Sequence, residues 1–124
     1  MKRLYPIVLL LMAGCLGDTA LPIVSSTRIP NMQFSVHLGG PDTKGHFGYY
    51  VTSSNGIHCG YRPLGRLQRN QTTPAVLESL GNGVFRIQWG APPSGIYAII
   101  DFGNERFVED SNKANPKNQP FTKQ

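Results

Sequence analysis

Past residue 20 the chain alternates apolar and polar residues in short runs, each closed by a turn rich in Gly, Asn or Pro. The clearest run is Val84-Phe85-Arg86-Ile87-Gln88-Trp89, with Phe85, Ile87 and Trp89 on one side and Arg86 and Gln88 on the other. That period of two is the pattern of a half-buried strand. Ala75 to Leu80 precedes it across Asn82-Gly83. Asn-Gly is the strongest two-residue hairpin signal, because both central residues of a type I′ turn need positive φ. Centring the turn there predicts Leu80 opposite Phe85 and Val76 opposite Trp89. A short helix from Thr73-Pro74 to Gly81 competes, since Thr at the N-cap, Pro at N1 and Gly at C′ also fit; the hairpin is favoured.

Two further hairpins follow the same logic. His46 to Ser53 meets His58 to Tyr61 across Asn55-Gly56, which predicts Tyr50 opposite Tyr61, Thr52 opposite Cys59, and one apolar face of Tyr50, Ile57, Cys59 and Tyr61. Ile96 to Phe102 meets Glu105 to Asp110 across Gly103-Asn104, which predicts Asp101 opposite Arg106 and Ile100 opposite Phe107. Ala91-Pro92-Pro93-Ser94-Gly95 turns the chain between the second and third hairpins. Residues 75–110 therefore read as one four-stranded antiparallel meander. Ile23–Thr27 and Met32–Leu38 add strands, and about eight short strands predict an all-β fold, a small antiparallel sandwich or partly open barrel. Gly39 to Gly45 reads as a tight loop, and Arg62 to Thr73 as a basic, polar connection. The resulting organisation is a β domain over 21–110 and a disordered basic tail over 111–124.

Charge sharpens this picture. The formal +5 on 124 residues suggests a nucleic-acid partner until it is mapped. Lys2 and Arg3 carry +2, residues 15–110 hold seven bases against seven acids, and Lys113, Lys117 and Lys123 add +3 in the tail. The body is neutral, so no nucleic-acid partner is expected. With 14 Gly and 10 Pro in 124 residues, the composition favours tight turns over helices.

The N-terminus has its own logic. Met1-Lys2-Arg3 is a basic n-region and Ile7 to Ala13 a short apolar h-region, the layout of a secretory signal. The apolar run from Leu4 to Leu16 is 13 residues, short of the ~20 a spanning helix needs. Leu11-Met12-Ala13-Gly14-Cys15 resembles the lipobox of bacterial lipoprotein precursors, in which a small residue precedes an invariant cysteine. The resemblance covers residues 1–15 and departs from the pattern at Met12, where Leu is commonest. It implies cleavage between Gly14 and Cys15, diacylglycerol on the Cys15 thiol, a lipidated tether over 15–20, and anchorage in the cell envelope. Ordinary signal cleavage that discards Cys15, for example after Gly17, is the competing account. Leu16 after the cysteine, rather than Asp, implies the outer membrane. With Cys15 lipidated, Cys59 has no intramolecular partner, and a buried, inert thiol is expected there.

Candidate chemistry is sparse. His37, His46 and His58, with Asp42 and Cys59 nearby, match no zinc spacing, so neither metal nor cofactor is expected. Cys59 with His46 or His37 forms a conceivable nucleophile pair, but a thiol in mid-strand on an apolar face stays protonated. No paired-acid motif, phosphate loop or hydroxyl-nucleophile signature appears, and no enzymatic activity is expected. The remaining candidate is an interaction surface on Tyr61, Arg62, Arg66 and Arg69, since Arg and Tyr are favoured in binding hot spots. The expectation is an envelope lipoprotein that binds a protein partner, as an immunity or inhibitor protein, a phage-exclusion factor or an accessory of an envelope machine. The alternatives are a small envelope hydrolase using a metal or Cys59, and a carrier of a small apolar ligand.

Overall fold

The computed structural model describes residues 21–54, 56–91 and 95–123, with residues 56–59 and 123 through their backbone alone. The signal peptide, Gly14, Cys15, Asn55 and the Pro92-Pro93 corner lie outside the described residues, as do the side chains of Ile57, His58 and Cys59. Among the described residues ten strands form: β1 (Ile23–Arg28), β2 (Phe34–Gly39), β3 (His46–Ser53), β4 (Gly56–Arg66), β5 (Val76–Gly81), β6 (Val84–Gln88), β7 (Tyr97–Asp101), β8 (Arg106–Asp110), β9 (Gln119–Pro120) and β10 (Thr122–Lys123). They make two antiparallel five-stranded sheets, ordered β1-β2-β3-β4-β10 and β5-β6-β7-β8-β9. The expected all-β sandwich is the fold; the sheets do not close into a barrel. Residues 76–81 are strand, not helix.

Cross-strand pairs assign the faces, because residues directly opposite share one side of a sheet. Val36 pairs with Val51 and Leu38 with Tyr49 in the first sheet; Phe85 pairs with Ile100 and Ile87 with Ala98 in the second. Those inner faces pack together, with Tyr49 from β3 reaching Trp89 and Phe107 of the second sheet at ring-centroid distances of 5.4 and 6.0 Å. Trp89, Tyr49, Phe102 and Phe107 are the largest side chains fully withdrawn from water. At ~1.5–3 kcal/mol for each large apolar side chain buried, this interface dominates the drive to fold.

Two of the three predicted registers shift, one through a bulge and one at its turn. Asn82 (φ 56°) and Gly83 (φ 81°) both take the positive φ that a type I′ turn requires. A bulge between Ser79 and Gly81 then slips the ladder by one, so Ser79 faces Phe85 and Val76 faces Gln88. A slip of one residue exchanges the two faces: Leu77 points inward, while Leu80 and Val76 are exposed. In the first hairpin the turn falls one residue early, with Ser53 opposite Gly56 and Thr52 opposite Ile57 rather than Cys59. A bulge between Tyr49 and Val51 restores the expected register, placing Tyr49 opposite Arg62. Phe47, Tyr49 and Val51 are therefore the core face of β3, and Tyr50 lies on the outer face against His37. The third hairpin pairs as predicted, Asp101 with Arg106 and Ile100 with Phe107.

The largest correction concerns the tail. Residues 111–123 are folded, not disordered, and cross from one sheet to the other. Ser111 N donates to Tyr97 O (2.9 Å) and Asn118 N to Val108 O (3.0 Å), after which β9 adds to the second sheet and β10 to the first. Phe121, between those two strands, is 8 % exposed and packs on Phe107 with ring centroids 4.8 Å apart. The segment Arg62–Thr73 is also less irregular than expected, because β4 continues to Arg66 and a 3-10 turn occupies Arg69–Gln71.

Candidate functional site

Of the four residues singled out for partner contact, Arg62 is buried and the other three reach the surface. Arg62 stands opposite Tyr49 on the inner face, 3 % exposed. Its Nε donates to Asp110 Oδ2 (2.9 Å) and Tyr49 Oη (3.1 Å), its Nη1 to Gln119 Oε1 (2.6 Å), and its Nη2 to Pro116 O. The guanidinium also lies 4.9 Å from the Phe107 ring centre. Tyr49 Oη donates to Asp110 Oδ2 at 2.7 Å. Asp110 Oδ1 takes the backbone N–H of Asn112 (3.0 Å), and Asn115 Nδ2 reaches both carboxylate oxygens at 3.0 Å. Burial, followed by the Asp110 charge, holds the Tyr49 phenol well above its ordinary pKa, so it stays a protonated donor. This network joins β3, β4, β8 and the C-terminal segment. All three guanidinium nitrogens of Arg62 are engaged inside the fold and the side chain is buried, which removes it from any partner surface.

Tyr61, Arg66 and Arg69 occupy the first sheet's outer side and its adjoining turn. The Tyr61 ring covers Gly48 so closely that a Cβ there would lie 2.3 Å from Tyr61 Cζ. Glycine at 48 is what lets the phenol lie flat on the sheet. Burial raises the Tyr61 pKa, and the nearby Asp42 charge adds to the rise. Asp42 organises the loop before β3: its Oδ1 accepts from the backbone N–H of Lys44 (2.8 Å) and of His46 (2.9 Å). The His46 bond is the main reason the Asp42 carboxyl lies below its usual pKa. Arg66 pairs with His46, one step along the same face from Gly48, and is exposed. Arg69 is exposed in the 3-10 turn, where its carbonyl accepts from Thr72 N (3.1 Å) and Oγ1 (2.7 Å).

One cluster on this face escaped the sequence reading. His37 Nδ1 lies 2.8 Å from Ser26 Oγ, and His37 Nε2 lies 2.8 Å from Thr52 Oγ1. Its ring rests on Tyr50, with centroids 5.0 Å apart. Burial lowers the His37 pKa, so near neutral pH the imidazole accepts from one hydroxyl and donates to the other. The bridge ties β1, β2 and β3 together. Ser26, His37 and Thr52 stand on three strands, and only knowledge of strand order would have brought them together. The second sheet's outer face has a charged cluster of its own. Tyr97 lies under Arg86 (4.4 Å) and donates to Glu109 Oε2 (3.0 Å), whose other oxygen is 3.9 Å from Lys117 Nζ.

Among the described residues, no group of three or more His, Cys, Asp or Glu is placed to hold a metal ion. The outer side of the first sheet thus carries the Tyr61 ring seated over Gly48, the exposed Arg66, and His37 held by Ser26 and Thr52. No family model matches the chain, and no curated protein or solved structure is similar to it.

Proposed function

We propose that the chain is a bacterial lipoprotein, anchored through Cys15 and favouring the outer membrane, whose sandwich serves as a protein-binding module in the envelope. The observation that carries the binding reading is Tyr61 seated over Gly48, with the exposed Arg66 farther along the same strand and the exposed Arg69 in the turn that follows. A ring already immobilised loses little conformational freedom on contact, and Tyr and Arg contribute disproportionately at interface centres. The exposed arginines favour a partner with an acidic surface. Arg62 is no part of this surface, because it is committed to Asp110.

Two measurements test the parts separately. Metabolic labelling with a clickable fatty acid should mark the wild-type chain and leave Cys15→Ser unmarked; an unlabelled wild type ends the lipoprotein reading. Affinity capture from envelope extract should retain a protein that Tyr61→Ala and the pair Arg66→Glu with Arg69→Glu both lose. Capture that neither variant disturbs places the interface elsewhere and refutes the assignment to this face.

A further inference from the structure

Strand register fixes where the chain from Cys15 joins the sandwich. Ile23 pairs with Gly39, Gly39 with Gly48, and Gly48 with Pro63. The start of β1 therefore lies at the end of the first sheet that holds the β2–β3 loop and the close of β4, where His46 pairs with Arg66. Pro22 O accepts from Gly40 N (2.8 Å) at that end. The facing glycines each take a neighbour: a Cβ on Gly39 would lie 3.6 Å from Leu21 Cβ, and one on Gly48 2.3 Å from Tyr61 Cζ. Directly opposed Cβ positions are about 4.5–5.5 Å apart, which puts Leu21 and the Tyr61 ring within about 12 Å of each other. The turns at Met32, Gly83 and Gly103 gather at the opposite end. There Phe102 N donates to Gly83 O (2.9 Å), and a Cβ on Gly83 would meet Gly103 N at 3.1 Å and Met32 Cε at 3.7 Å.

We infer, on the premise of the anchor and binding surface proposed above, that the Tyr61 surface takes a partner held in the same membrane as Cys15: a protein presenting an acidic segment at the border of the bilayer. From Cys15 to Leu21 is six residue steps, a span of at most about 22 Å. However the domain swings about Leu21, a surface beside that pivot stays within about 35 Å of the lipid, while the opposite end sweeps free. The charge at this corner matches an acidic segment. Lys44, Arg66 and Arg69 are exposed, and a Cβ on Gly45 would meet Arg66 Nη1 at 3.1 Å, so that guanidinium hangs at the β2–β3 loop. Asp42, the acid in the same loop, already accepts two backbone N–H bonds through Oδ1. One seated ring and a few cations make a small contact for capture from solution. A shared membrane offsets that, because it holds both proteins in one thin layer and raises their effective concentration.

The test uses cells making the full chain with p-benzoylphenylalanine at Thr43, exposed in the β2–β3 loop, or at Ser54, exposed after β3 at the opposite end. Each is built with the natural tether and with about forty Gly/Ser residues, a flexible coil, inserted between Ala20 and Leu21. Irradiation should join position 43, and not position 54, to a protein that stays with the membranes through an alkaline wash. Arg66→Glu with Arg69→Glu should abolish that adduct. The longer tether should lower its yield about threefold, because the layer the domain explores deepens as the square root of tether length. An unchanged yield overturns the inference in favour of a soluble partner, and a raised yield in favour of one held beyond the tether's reach. Adducts of phospholipid mass alone assign the corner to headgroups and overturn the protein partner. No adduct at position 43 with either tether, or the same adduct at position 54, removes the partner from this corner. Fatty-acid labelling of the same cells reads the anchor. An unlabelled chain ends the lipoprotein reading and the inference together, whereas a labelled chain whose adduct ignores tether length ends the inference alone.

Discussion

Removing Arg62 alone should be among the most damaging single changes available to the domain. The Asp110 side chain is fully withdrawn from water, and one of its oxygens receives both Arg62 Nε at 2.9 Å and Tyr49 Oη at 2.7 Å. Arg62→Met leaves that carboxylate buried without its counter-charge, and breaking a buried pair from one side costs ~3–5 kcal/mol. It also releases Gln119 and the Pro116 carbonyl, which hold the C-terminal segment to β4. A domain of this size is stable by ~5–15 kcal/mol in total. At roughly 4–8 °C per kcal/mol, the melting temperature should therefore drop by about 12 °C or more. Arg62→Met with Asp110→Leu removes both charges, and replacing a whole buried pair by apolar groups is often neutral or better. The double variant should thus be more stable than Arg62→Met alone, with a coupling of about 2 kcal/mol or more in a double-mutant cycle. Urea unfolding followed by Trp89 fluorescence is a direct assay, since Trp89 packs 5.4 Å from the Tyr49 ring. A coupling below ~0.5 kcal/mol would refute the reasoning, because Arg62 and Asp110 would then be acting independently.

Three further outcomes are expected. Phe121→Ala should cost ~3–5 kcal/mol, as expected for a buried aromatic, and should expose the segment after Asp110 to limited proteolysis; cleavage at the wild-type rate would contradict a docked C-terminus. Gly48→Ala should expel the Tyr61 ring, costing ~1–3 kcal/mol by overpacking and weakening partner capture as much as Tyr61→Ala does. Stability should fall on the alkaline side. The Tyr49 pKa is raised in the fold, so above about pH 10 the unfolded chain releases a proton that the folded chain keeps, at ~1.4 kcal/mol per pH unit until the folded group itself ionises. Tyr49→Phe should flatten that slope in urea titrations between pH 9 and 11, and an unaltered slope would show that other tyrosines carry it.

Local chemistry explains which elements were readable. Asn82-Gly83 was legible because a type I′ turn needs two positive φ values, and few residue pairs supply them. Alternation located the strands for the same reason: one face is buried and the other is wet. Bulges are different. Nothing in Ser79-Leu80-Gly81 announces an extra residue, because the choice is made by which register buries Leu77 and Phe85 across the sandwich. The candidate surface was half legible. Tyr61, Arg66 and Arg69 share a short stretch of sequence, but the Gly48 floor beneath Tyr61 and the Ser26–His37–Thr52 bridge are assembled from strands far apart in the chain.

The misread tail shows why composition alone fails at charged positions. A segment with one aromatic and three lysines looks too polar to fold, and by itself it is. Its order comes from Asp110, which sits at the end of a strand and caps Asn112 and Asn115, and from Arg62, 48 residues earlier, which reaches across to Gln119 and Pro116. Once those polar contacts fix the path, Phe121 arrives over Phe107 and contributes the apolar burial that the segment otherwise lacks. A charge buried at 62 and an aromatic at 121 thus hold one segment together: the pair fixes its path, and Phe121 packs its end on Phe107, the ring over which the Arg62 guanidinium also lies.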